Sequence, residues 1–255
     1  MTSSRTGTGT RATRVLGTVA LALFAFLMVF GLANSPADAV QRDSVRILYL
    51  HVPSAEMAYV AFAVAAVGSA AYLWKRTRSR AWDRVANASV ELGVVFTGLT
   101  LATGMMWGRI SWGVYWDWAD ARLVSTLLLF VMFVGYLAVR RLDGNDDQRA
   151  RRSAVVCLVA ILDVPLVHFS VEWFQTTHPK GSLETPGALD GTFRFLHFVG
   201  ITTFLCGYLW LMVHRNRVAM LEDRVAGHDL AVAIAERQRE GAAPGTAPDT
   251  AGVAG

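Results

Sequence analysis

The sequence predicts an all-α membrane protein with six transmembrane helices, both termini cytoplasmic, and an external tryptophan-rich segment between the third and fourth helices. Three observations carry this. The chain is 53% hydrophobic and only 17% charged, and its mean hydropathy is positive, a composition that soluble domains do not have. Residues 15–37, 57–74, 92–108, 123–139 and 195–213 contain no charged side chain, and 153–169 contains only Asp163. Each run approaches the roughly 20 mostly apolar residues that a helix needs to cross the hydrocarbon core. Strands of a barrel would alternate apolar and polar residues, whereas these runs are continuous. Third, the basic residues alternate between connecting segments. Of the 24 Lys and Arg, all but Arg42, Arg46, Arg109, Arg122, Lys180 and Arg194 fall on the side shared by both termini. That side is therefore read as cytoplasmic.

The elements follow in order. Residues 1–13 are expected to be a mobile cytoplasmic tail rich in Thr, Ser and Gly. The first span is followed by Ala37-Asp38-Ala39, an A-x-A pattern, but its apolar run is longer than the roughly 7–15 residues of a signal-peptide core. It is read as a retained helix. Residues 14–215 form the membrane domain, with the tryptophan-rich segment at 105–125. Residues 216–255 are expected to be a cytoplasmic tail, disordered at its Ala/Pro/Gly-rich end. Cys157 and Cys206 lie within spans and read as packing residues. Basic charge is split into short juxtamembrane groups, which signals topology and excludes nucleic-acid binding as its use. No GxxxxGK[ST], HExxH, GxSxG or CxxCH occurs. The chain thus has no P-loop ATPase and no covalent c-type haem signature.

Unusual chemistry gathers in the outward segments. His51 stands before Pro53, at the external end of the second helix, since proline is tolerated in a first helical turn. His178 precedes Pro179 after the fifth span. Neutral imidazole is the commonest metal ligand, so the pair reads either as two axial ligands or as two interfacial polar residues. Trp107, Trp112, Trp116 and Trp118, with Tyr115, crowd one stretch. They read as an interfacial aromatic belt or as a platform for a flat ligand. Gly108 and Gly113 each follow a tryptophan and permit close approach. Arg109 and Arg122 suit carboxylates, either of a ligand or of lipid headgroups. His168 and Glu172 are four apart and share a helix face. Asp163, Glu56 and Glu91 lie in or near spans as ligand or packing candidates. His197 reads first as a helix-packing residue, and His214 and His228 as cytoplasmic surface residues.

Three motifs resemble the CcmC/CcsA family of haem-handling proteins in cytochrome c maturation: ILYLHVPSAEMAYV, WGRISWGVYWDWADARLVS and VHFSVEWFQTTHP. They resemble, in turn, the family's histidine-valine-proline motif, its external WWD domain and the segment bearing its second histidine. The six-helix layout is similar to CcmC in particular, over about residues 15–215. The resemblance implies that His51 and His178 are the axial ligands of a non-covalent haem b. It implies that Trp107, Gly108, Trp112, Gly113, Tyr115, Trp116 and Trp118 line the haem. Asp120 and Arg122 would match the domain's acidic residue and the arginine after it. It further implies delivery of haem at the outer face of the bacterial cytoplasmic membrane to a CcmE-like chaperone, alongside CcmA and CcmB components of an ABC-type complex and a small CcmD protein. Such a protein is a delivery protein rather than a catalyst. The alternatives are a CcsA-type lyase attaching haem directly to apocytochrome c, and a membrane b-type cytochrome. The pattern departs from the family's in three places. Tyr115 replaces a tryptophan, WDWADAR carries an extra residue so that Asp117 competes with Asp120, and His178 is followed by proline.

Overall fold

The structure is a computed structural model that describes residues 9–38, 41–174, 176–178 and 191–242. Residues 1–8 and 243–255 of the expected tails, and Pro179 through residue 190, lie outside the described residues. Among the described residues the chain is helical, with one isolated antiparallel bridge between Asp38 and Arg42. Six helical stretches are long and apolar enough to cross a membrane: Arg11–Asn34, Asp43–Leu73, Arg80–Trp112, Ala121–Val139, Asp146–Trp173 and Gly191–Gln238.

Helix α1 (Arg11–Phe26) starts inside the expected tail because Thr10 and Thr13 form a reciprocal capping box. It widens into a π-helical end, Leu27–Asn34. There the Asn34 amide donates to the Val29 carbonyl and the Ser35 hydroxyl to that of Gly31. Pro36 then forces Ser35 into an extended conformation and ends the helix. A 3₁₀ turn, Asp43–Ile47, leads into α2 (Leu48–Leu73). Pro53 lies inside α2 and leaves the Tyr49 carbonyl without its helical donor. Residue Gly200 of α7 (Gly191–Ala242) packs at this spot, where a Cβ would sit 2.7 Å from Pro53 Cγ and 3.1 Å from that carbonyl oxygen.

Helix α3 (Arg80–Trp112) has 33 residues, about 50 Å at 1.5 Å per residue. That exceeds the roughly 30 Å hydrocarbon core, so the helix is longer than one crossing needs. Its stop is Gly113, whose φ of +80° is open to glycine and costly for other residues. Helix α4 (Ala121–Val139) starts at Asp120, whose carboxylate accepts from the backbone N–H groups of Arg122 and Leu123. The fifth crossing is two helices, α5 (Asp146–Ala160) and α6 (Asp163–Trp173), not one. Pro165 has no N–H for the Ile161 carbonyl and its ring crowds it, which separates them. Asp163 is buried at this break, and its Oδ2 has no hydrogen-bond partner among the described residues.

Helices α2 and α3 approach closely through small residues, the membrane substitute for a hydrophobic drive. Ser89 Oγ donates to the Ala61 carbonyl (2.6 Å) and lies 2.7 Å from the Tyr208 hydroxyl of α7. Phe62 stacks flat on Phe133 of α4, 3.7 Å between centroids. At the end away from His51, Arg140 grips Asp83 through two nitrogens (2.6 and 3.0 Å) and Arg215 grips Glu91 (2.9 Å). Glu91 is thus a structural ion-pair partner. Cys157 is buried and Cys206 half-buried, both free. The described residues through Asn216 form one compact unit, and those from Arg217 another with exposed Val218, Leu221 and Val225.

The α2–α3–α4 packing makes one expected result specific. A Cβ on Gly93 would lie 2.5 Å from Phe62 Cε1, and Phe62 cannot yield because it is clamped on Phe133. Gly93→Ala is expected to destabilise by about 1–3 kcal/mol of overpacking. Gly135→Ala, where a Cβ meets nothing within 4 Å, should be neutral or stabilising. Thermal unfolding in detergent checks both, and an equal or higher midpoint for Gly93→Ala would refute the clash.

Candidate functional site

The first turn of α2, the last turns of α3, the start of α4 and the residues after α6 meet at one end of the bundle. His51 projects from α2 onto α3. Its Nδ1 lies 3.1 Å from the Thr100 carbonyl oxygen and 3.1 Å from Thr103 Oγ1. A carbonyl only accepts, so Nδ1 carries the proton. The neutral ring therefore keeps its electron pair on Nε2. Thr103 supports this arrangement, because its hydroxyl donates to the Leu99 carbonyl (2.7 Å) and offers its lone pair to the imidazole. Ser54 donates to the His51 carbonyl (2.7 Å) and pairs with the Thr100 hydroxyl (2.9 Å). Gly104 makes room for the ring, since a Cβ there would stand 2.9 Å from His51 Cε1.

His178 is held in the same sense by a different device. Its Nδ1 lies 3.3 Å from the carboxylate of Asp120, whose side chain is wholly buried. The same carboxylate caps α4 with Oδ1. Its Oδ2 accepts from the backbone N–H (2.9 Å) and hydroxyl (2.8 Å) of Thr177. Burial alone would raise the Asp120 pKa, but the donors from Leu123 and Thr177 and the neighbouring His178 outweigh it and hold the carboxyl below its usual range. Burial lowers the His178 pKa more than Asp120 raises it, and Arg122 adds to the lowering, so the ring is neutral. Both imidazoles thus present an unprotonated Nε2, and they are near enough to act on each other electrostatically. Nitrogen donors of this kind suit a borderline metal ion such as iron.

The aromatic residues are layered. Trp107 is buried, and its indole N–H donates to Gln41 Oε1 (3.0 Å). Trp112 stands edge-on to Trp107 (5.0 Å) and edge-on to His178 (4.8 Å). Trp107 therefore backs Trp112, which in turn stands against His178. Gly108 lets Trp112 fold back, as a Cβ there would meet its ring at 3.1 Å. Trp116 and Trp118 pack edge-to-face (5.4 Å). Trp118 and Tyr115 are the open rings, 74% and 58% exposed. Arg109 donates to the Gly113 carbonyl and lies over Tyr115, 5.7 Å from its centroid.

Arg122 ties α4 to α6. Its Nη2 donates to the His168 carbonyl (2.8 Å) and its Nε to Ser170 Oγ (3.3 Å), with Tyr59, Asp120 and Glu172 around it. His168 enters through this carbonyl, while its ring packs edge-on against Tyr59 and Phe169. No hydrogen bond joins Glu172 to His168 among the described residues, although they share α6. Asp117 accepts from the Ala119 N–H (2.9 Å) and shapes the turn. His197 stands apart from the pair, stacked on Phe193 and 3.5 Å from Glu56. Sequence reasoning missed Gln41, Thr100, Thr103, Gly104 and Thr177. The hydroxyls at 97, 100 and 103, three apart on an apolar helix, were the available signal.

Fold and site define a polytopic helical membrane protein that presents two imidazoles beside a tryptophan cluster at one end of its bundle. The family model for CcmC, heme exporter protein C, matches residues 3–231. Heme exporter protein C of Bradyrhizobium diazoefficiens is 35% identical over 205 residues, 78% of this chain and 76% of the relative. That of Haemophilus influenzae is 35% identical over 215 residues, 79% and 85% of the two chains. A putative cytochrome c biosynthesis ccmC-like mitochondrial protein of Arabidopsis thaliana is 34% identical over 167 residues, 66% and 62% of the two. The chain belongs to the heme exporter protein C family.

Proposed function

We propose that the protein binds a non-covalent haem b at the outer face of the bacterial cytoplasmic membrane and delivers it to a CcmE-like haem chaperone during cytochrome c maturation. His51 and His178 hold the iron from opposite sides. Trp112, Tyr115, Trp116 and Trp118 support the macrocycle, and Arg109 and Arg122 are the cations assigned to the haem carboxylates. Both termini are cytoplasmic, where CcmA- and CcmB-like components and a CcmD-like small protein join the assembly. Haem is cargo, so the chain's own task is ligation, orientation and release, with no acid-base catalyst required.

The observation that carries this reading is the matched pair of imidazoles, each fixed through Nδ1 and each left with an electron pair on Nε2. A metal-ligating histidine almost always has such a partner on its other nitrogen. Purified protein loaded with haem is expected to give a six-coordinate low-spin spectrum and to pass haem to a CcmE-like chaperone. His178→Ala should lose the low-spin spectrum and transfer haem at least about tenfold less well. Unchanged haem content, spectrum and transfer would overturn the assignment.

A further inference from the structure

We propose that Asp120 is a positioning residue for the iron ligand His178 rather than a residue that lines the haem, its single carboxylate fixing which nitrogen of the imidazole is free and how strongly that nitrogen donates. This inference rests on the haem-ligand reading above.

The two histidines are anchored unequally. His51 sits in a helix and its Nδ1 has two oxygens of α3 within 3.1 Å. His178 lies outside the helices, and among the described residues its one hydrogen-bonded link to them is Asp120. Trp112 adds only an edge contact. The carboxylate has no capacity left for a ligand. It takes two backbone N–H groups of α4 on Oδ1, and Thr177 N–H, Thr177 hydroxyl and His178 Nδ1 on Oδ2. Its side chain is 0% exposed, so it presents no surface to a macrocycle. The helix cap and the ligand-bearing segment thus share one anion. An anion on Nδ1–H pushes electron density to Nε2 and strengthens the bond to oxidised iron, one of the levers by which a protein tunes haem.

Asparagine separates the capping role from the positioning role. It is as good a helix cap as aspartate. With its oxygen on α4, its NH₂ faces the Thr177 N–H and His178 Nδ1–H, donor against donor. The imidazole then escapes by moving its proton to Nε2, the loss of function expected when a histidine is held in the wrong tautomer. Asp120→Asn is expected to bind haem roughly 10- to 100-fold more weakly. The low-spin fraction that remains should have a higher reduction potential than wild type. Asp120→Glu, which keeps the charge, should restore part of both. A role confined to capping α4 would leave the potential unchanged.

The experiment is a haem titration and a redox titration on the full-length protein, comparing wild type, Asp120→Asn, Asp120→Glu and His178→Ala. If His178→Ala loses the low-spin band while Asp120→Asn keeps wild-type affinity and potential, the positioning role is wrong and the ligand assignment stands. If His178→Ala changes nothing, both fall together. A second measurement leaves Asp120 untouched. In ferrous His51→Ala the remaining axial ligand is His178, and its iron–nitrogen stretch reports the partner on Nδ1. A frequency typical of an anionic partner supports the proposal, and one typical of a neutral partner overturns it.

Discussion

His51→Ala is expected to leave a folded bundle that has lost its low-spin haem and its ability to deliver it. The side chain is held by α3 rather than by its own helix, so its removal leaves the α2 backbone intact. What disappears is the ligand with the stiffer support. Losing an outer partner of a metal ligand costs roughly 10- to 100-fold in affinity. Losing the ligand itself should cost about a hundredfold or more. The buried hydroxyls of Thr100 and Thr103 are hard, neutral donors committed to the Phe96 and Leu99 carbonyls, and they do not replace an imidazole on iron. Haem titration followed by absorption spectroscopy reads the effect. A wild-type spectrum at wild-type affinity in His51→Ala would exclude it as a ligand.

Gly104→Ala is the second large effect, and it acts without touching a donor atom. The added methyl would occupy space 2.9 Å from His51 Cε1. Either the ring leaves Thr100 and Thr103 or the helices part. An overpacked contact costs about 1–3 kcal/mol. Expressed on ligation at 1.4 kcal/mol per tenfold, that is about 5- to 150-fold weaker haem binding. Alanine improves helix propensity by roughly 1 kcal/mol over glycine, so the thermal midpoint should hold while haem binding falls. That split separates ligand displacement from general unfolding. Loss of both in parallel, or of neither, would contradict it.

The membrane spans were legible because lipid demands uncharged runs, and those runs are visible without any knowledge of packing. Helix ends were not, because hydropathy reports the membrane and not the backbone. The third run loses its apolar character at Arg109, yet α3 continues to Trp112 and stops where Gly113 can turn left-handed. Pro165 was visible in the fifth run, but that it splits the crossing into α5 and α6 depends on how far the neighbouring helices tolerate a bend. His51 was legible because Pro53 marks it locally. Its supports on α3 were not, since Thr100 and Thr103 are some fifty residues away and meet it only in three dimensions. Asp120 is favoured over Asp117 because it directly precedes Ala121-Arg122, but the contacts of the two were beyond the sequence. Asp117 closes a local turn, whereas Asp120 gathers α4, Thr177 and His178. Trp107, expected to line the haem beside Trp112, is buried and donates to Gln41, a contact the sequence does not reveal.

The most direct measurement of the central claim counts histidine nitrogens on the iron. Protein carrying ¹⁵N only in histidine, loaded with ferric haem, would be examined by pulsed electron paramagnetic resonance for nitrogens coupled to the iron. Ligation by His51 and His178 predicts two equivalent-strength imidazole couplings in the wild type and one in each single alanine variant. A single coupling in the wild type, or two that persist when both histidines are replaced, would contradict it.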